Sequence, residues 1–130
     1  MLKYQVSRCN EIGFKLLLLI SLMLVTWQAL SPLPIEQVQN FHDKLGHLLV
    51  FFLLAAITDH AYATSSFTLK KAGYLMVYGI GIECIQHFIP NRSFSFLDML
   101  ADAGGLLLFW FLATYLLKRE LTPLRHPDSN

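Results

Sequence analysis

Residues 82–105 read IECIQHFIPNRSFSFLDMLADAGG. This stretch decides the architecture, because one apolar segment ends in it and another begins. Pro90 cannot continue a hydrogen-bonded helix and Asn91 suits a turn, so the helix expected over about Ala72–Ile89 must stop here. A further helix is expected over about Leu97–Leu117. Between the two apolar blocks lie Glu83, Gln86, His87, Arg92, Asp98 and Asp102. An ionised group left unpaired in hydrocarbon is costly, so these side chains need partners, water or a ligand.

The rest of the chain sets the solvent. Of 130 residues 55% are hydrophobic and only 15% are Asp, Glu, Lys or Arg, against about 25% charged in an ordinary soluble domain. Mean hydropathy is +0.48. A bilayer core of roughly 30 Å needs about 20 apolar helical residues. Four segments qualify: Phe14–Leu30, about Leu45–Ala63, about Ala72–Ile89 and about Leu97–Leu117. Backbone in lipid must satisfy its own hydrogen bonds, so all four are expected to be helices. The expected fold is all-α: a polytopic membrane protein, a bundle of four transmembrane helices in a single domain over residues 1–130, with 118–130 as a flexible tail. Lys3, Arg8 and Lys15 before a leucine-rich run give the first segment the look of a leader. Pro32, next to the only small-residue stretch that would serve for cleavage, argues for a retained helix. A formal net charge of +1 provides no field for nucleic acid, and no nucleic-acid partner is expected. Cys9 and Cys84 lie in unlike settings, and no disulfide is expected.

The basic residues orient the bundle. Lys3, Arg8 and Lys15 precede the first segment, Lys70 and Lys71 sit between the second and third, and Lys118, Arg119 and Arg125 follow the fourth. The opposite side has Lys44 and Arg92. Both termini are therefore expected in the cytoplasm. Residues 31–44 and 90–96 then form the outer connections, which brings HDKLGH (42–47) and the opening stretch to one face of the membrane.

Asp43 and His47 share a helical face, as do Glu83 and His87, and Asp98 and Asp102. Arg92 is the natural counter-charge for Glu83, Asp98 or Asp102, with Lys44 as the second cation. The candidate pocket comprises Asp43, Lys44, His47, Glu83, Gln86, Arg92, Asp98 and Asp102. The pattern fits two readings: a clamp that locks helices together, or a binding or catalytic pocket. Asp43/His47 and Glu83/His87 have helical spacing for metal ligation, but no metal motif is complete, and no metal or other cofactor is expected. Asp59 and His60 are expected to cap or snorkel near Lys70 and Lys71. Ala101, Gly104 and Gly105 suggest tight packing of the last two helices. Ser93 and Ser95 read as turn residues.

Two blocks resemble the VanZ-like family of small bacterial membrane proteins. DKLGHLLVFFLL carries Asp43, Lys44 and His47 in the family's D-K-x-x-H pattern. The opening stretch carries Glu83, Gln86, Phe88, Pro90, Arg92, Asp98, Ala101 and Gly105 in register with its second block, with Asp102 at a position usually Asn. The resemblance spans about residues 40–117. It implies a bacterial inner-membrane protein with a role in the cell envelope, in contact with membrane lipids. From the charges themselves, the outer-face pocket is expected to bind or modify an anionic lipid-linked or peptidoglycan-related ligand held by Arg92 and Lys44. The resemblance assigns no reaction and no oligomeric state. A structural scaffold, or a subunit of a small oligomeric transporter, are the alternatives.

Overall fold

The computed structural model describes residues 8–32, 41–90 and 92–119. Among these are four α-helices: α1 (Arg8–Leu30), α2 (Phe41–Ala61), α3 (Leu69–Gln86) and α4 (Phe96–Arg119). The side chains of Cys9 and of the flanking basic residues Lys3, Arg8, Lys118, Arg119 and Arg125, most of the α1–α2 connection, Asn91, and the expected tail beyond Arg119 lie outside the described residues. All regular structure among the described residues is helical, as expected of apolar segments in lipid. Three of the helices are long and apolar enough to cross a membrane, over Asn10–Leu30, Asp43–Ala61 and Phe96–Tyr115. α3 is not one of these three; its 18 residues include Lys70, Lys71 and Glu83.

The helix ends differ from the sequence expectation for physical reasons. α1 and α2 begin before their apolar cores, at Arg8 and Phe41, and each carries an acid in its first turn, Glu11 and Asp43. Negative charge is favourable at the positive end of a helix dipole, so a polar first turn prolongs these helices. α3 stops at Gln86 rather than Ile89. Beyond it, the Phe88 N–H donates to Ile85 O at 3.0 Å and the Ile89 N–H to Gln86 O at 3.0 Å, a tightened exit. Pro90 disfavours helical backbone at the residue before it. The start of α3 is set by Thr68, whose extended backbone (φ −109°, ψ 163°) and side-chain oxygen cap the first turn.

α2 is the central helix. It packs against each of the other three, with its most extensive contact on α4, while α1 and α4 do not meet among the described residues. The core runs through Leu18, Phe51, Leu54, Ala55, Phe67, Leu75 and Leu106. Phe109 stacks edge-on against both Phe52 (5.7 Å) and Phe67 (5.0 Å). Much of the outer surface is apolar. Met23, Leu24 and Trp27 on α1, Tyr74 and Val77 on α3, and Leu107 and Phe111 on α4 are all exposed. Continuous apolar exposure of this kind suits lipid rather than water.

α4 meets α3, as the small residues suggested, but its closest backbone approach is to α2. A Cβ on Gly105 would strike the carbonyl oxygen of Leu48 and come within 2.9 Å of Phe52 N, which are backbone atoms that cannot move aside. α3 approaches through Gly79, where a Cβ would lie 2.8 Å from both Asp102 Oδ2 and Phe51 Cζ. Glycine is required at Gly105, where backbone meets backbone; at Gly79 a larger residue would have to displace the ends of the Asp102 and Phe51 side chains.

At the end of the bundle away from the candidate pocket, Lys71 is 8% exposed. Its ammonium donates to Asp59 Oδ1 (2.9 Å), Tyr62 O (2.9 Å) and Ser65 O (2.7 Å). Three acceptors satisfy the three donors of a lysine, so the charge is buried at low cost and pins the α2–α3 turn. Asp59 thus lies beside Lys71, as expected, and holds it in a direct ion pair. His60 instead bonds Ala56 O and packs on Phe14.

The glycine contacts make a paired prediction. Gly105→Ala should destabilise the protein by about 1–3 kcal/mol through overpacking. Gly104→Ala meets only Leu48 Cδ1 at 3.8 Å, and should be neutral or stabilising by up to about 1 kcal/mol through helix propensity. Thermal melting of both variants in one detergent checks the contrast.

Candidate functional site

The second end of the bundle collects two C-termini and two N-termini. The last turns of α1 and α3 meet the first turns of α2 and α4, so neighbouring helices run antiparallel. All eight residues of the expected pocket lie at this end.

Asp102 organises the buried part. It projects from α4 and is 1% exposed. His47 Nδ1 of α2 lies 2.9 Å from Asp102 Oδ1. With Asp102 ionised the contact holds an imidazole proton on Nδ1, and Nε2 is the nitrogen on the other edge of the ring. Nε2 lies 3.9 Å from Asp98 Oδ2. Asp98, one turn before Asp102 on α4, therefore faces the opposite edge of the same imidazole, beyond hydrogen-bond distance. Lys44 completes the α2–α4 contact, with Nζ donating to Asp98 Oδ1 at 3.1 Å. Ser95 caps α4: its Oγ accepts the Asp98 N–H at 3.3 Å, so it is an N-cap and not merely a turn residue.

Glu83 reaches across from α3. It is 1% exposed, and its Oε2 accepts the Ser95 N–H at 3.0 Å. Its Oε1 is buried with no hydrogen-bond partner among the described residues. A buried oxygen in that condition calls for a hydrogen-bond partner beyond the described side chains.

Arg92 takes a different role from the one its sequence position suggested. Its described hydrogen bonds go not to Glu83, Asp98 or Asp102 but to the end of α1. Nη2 donates to Gln28 O at 3.0 Å and to Ser31 O at 3.2 Å. Gln86 does the same, with Nε2 donating to Ala29 O at 3.0 Å. The last carbonyls of a helix have no partner within it and carry the negative end of its dipole, so a cation and an amide are well placed there. Pro32, which ends α1, marks these carbonyls in the sequence, but nothing local shows which side chain will reach them. His87 separates from Glu83. It is exposed and packs edge-on against Phe88 at 5.4 Å, so the Glu83/His87 pairing does not form a shared face.

Around these groups lies a cavity of about 290 Å³ lined by Gln28, Asp43, His47, Glu83, Gln86, Arg92 and Asp102 at its polar end. Val25, Val50, Phe51, Tyr78 and Ile82 form its apolar wall. The α1 contribution and Tyr78 were not foreseen from sequence. Tyr78 OH is 2.8 Å from Thr26 Oγ1 and donates to Leu22 O at 3.1 Å, which ties α3 to α1 beside the cavity. A smaller recess, lined by Asp43, His47, Gln86, Arg92, Ser93, Ser95 and Asp98, opens next to it. Asp43, His47 and Asp98 each offer one ligand atom within 4.8 Å of the others, an arrangement suited to a cation.

The fold and site define an apolar helical protein with a mixed-charge polar cavity at one end of the bundle. No protein-family model matches the chain, and no solved structure matches it. The chain is 32% identical over 118 residues to Uncharacterized protein C11E3.10 of Schizosaccharomyces pombe (strain 972 / ATCC 24843), covering 86% of this chain and 67% of that protein. It belongs to the same family as that yeast protein.

The buried His47–Asp102 contact gives a direct test. Asp102→Ala leaves the imidazole N–H buried without its acceptor and should cost about 1–3 kcal/mol of stability. Asp102→Asn, which retains an acceptor oxygen, should cost less. Denaturation of both variants in detergent measures the difference.

Proposed function

We propose that the chain is a four-span integral membrane protein whose end cavity binds the anionic head group of an envelope lipid or lipid-linked precursor. The observation that carries this reading is the two-sided lining of the 290 Å³ cavity, polar at one end and apolar along its wall. An amphiphile needs both, with its charged group against polar side chains and its first methylenes against Val50, Phe51 and Ile82. Arg92 is the recognising group. Its described bonds to α1 use Nη2, and a guanidinium has five N–H donors in a fork suited to phosphate or carboxylate. Lys44 lies at the rim, on Asp98. Glu83 and His47 hold the cavity's polar end in shape.

The setting proposed is that of the VanZ-like proteins: a bacterial inner membrane, both termini cytoplasmic, the cavity toward the outer side. The placement of Lys15 and Lys70 away from the cavity end supports this orientation. α3 crosses with the others, its Lys71 charge already paired to Asp59.

A specific observation favours a second reading, a scaffold. His47–Asp102, Lys44–Asp98, Gln86–Ala29 and Arg92–Gln28 each join two elements, so the cluster locks the bundle whether or not a ligand enters. Binding and stability measured on the same variants separate the two. With the chain in nanodiscs of neutral lipid, added phosphatidylglycerol or undecaprenyl phosphate should bind wild type. Arg92→Lys should weaken binding at least tenfold while the melting temperature changes little. Loss of stability without loss of binding leaves the scaffold reading standing and removes the pocket.

A further inference from the structure

We propose that Asp43, His47 and Asp98 form a binding site for a divalent transition-metal ion, of which zinc is the representative. Their ligand atoms, one from each residue, lie within 4.8 Å of one another. Metal coordination requires only a modest contraction of that spacing, since zinc holds imidazole nitrogen and carboxylate oxygen at about 2.0–2.2 Å. Asp43 and His47 come from one face of α2, one turn apart, and Asp98 from the first turn of α4. The cation would thus sit between two helix starts, with three protein ligands and room for water.

Two observations beyond the cluster itself point to a ligand. The first is Asp102. This buried carboxylate bonds His47 Nδ1 at 2.9 Å and so turns Nε2 toward Asp98 Oδ2, 3.9 Å away. A carboxylate behind a histidine is the arrangement that fixes the tautomer and raises the basicity of a metal-ligating imidazole. The second is Glu83, 1% exposed, which lines the same cavity as Asp43 and His47 and whose Oε1 has no partner among the described residues. Asp98 lines only the adjoining recess, but a water on a cation held by Asp43 and His47 would face the cavity and could donate to this oxygen. Lys44 shares Asp98 through Oδ1 at 3.1 Å, so the second oxygen of that carboxylate remains for the ion. An imidazole nitrogen beside two carboxylates suits zinc and its late transition-metal neighbours better than magnesium or calcium, which prefer all-oxygen sites.

The inference is independent of the lipid reading, because it concerns uptake of the metal alone. The test uses the full chain in uncharged detergent, with any purification tag removed and residual metal chelated. Titration with Zn²⁺, and with Co²⁺ for its absorption spectrum, should load one ion per chain and raise the melting temperature. Asp43→Asn, on an exposed side chain that leaves the bundle intact, should abolish loading. His47→Gln should remove the cobalt spectrum of nitrogen coordination. Asp102→Asn should weaken affinity about 10–100-fold with the spectrum retained. Lys70→Gln, at the far end of the bundle, should change nothing. The proposal is overturned if wild type takes up no stoichiometric ion, if Asp43→Asn and His47→Gln load as wild type does, or if Mg²⁺ competes on equal terms with Zn²⁺.

Discussion

A buried carboxylate has to be answered inside the bundle, and at Asp102 the answer is a histidine on another helix. Asp102 is 1% exposed and lies 2.9 Å from His47 Nδ1. That contact sets the register of α4 on α2, because it forms only if the two helices come close enough. The closeness comes from Gly105, whose missing side chain lets α4 rest on the backbone of Leu48 and Phe52. Gly79 performs the same service for α3, next to Asp102 and Phe51. Polar bond and glycine contacts depend on one another. Without the glycines the helices stand too far apart, and without His47 the buried acid has no partner to offset its desolvation.

The charges at this end of the bundle follow the helix dipoles. Asp43 and Asp98 sit in the first turns of α2 and α4, at the positive ends. Arg92 and Gln86 serve the open carbonyls of α1, at a negative end. Because the helices alternate in direction, both kinds of helix end arrive at one place, and acids and donors arrive with them. The result is a site assembled from capping groups. It explains why the same side chains hold the fold together and line a cavity, and why a substitution there has to be judged on stability and binding together.

Much of this was legible in the chain. The all-helical class and the four apolar elements follow from composition and block length. The residues that gather at one end follow from the apolar periodicity and the break at Pro90. The pairing was less legible. Arg92 was expected on a carboxylate and lies on α1, because the number of open carbonyls at a helix end cannot be weighed against a nearby acid without coordinates. The close packing of Gly105 was read toward α3 and belongs to α2, since a small-residue pattern shows which face is narrow but not which helix will come to it. Tyr78 looked like any aromatic of an apolar segment until its hydroxyl was seen on Thr26.

What the sequence determined by itself was the set of groups and the end of the bundle to which they go, because both depend on local quantities: the length of each apolar run, the residues that break it and the helical spacing of the polar ones. Which nitrogen of His47 faces Asp102, which oxygen of Glu83 is left without a partner, and which backbone Arg92 serves were decided only by the tertiary structure. Those outcomes depend on distances between helices, and such distances are set by how closely side chains of different segments let the backbones approach.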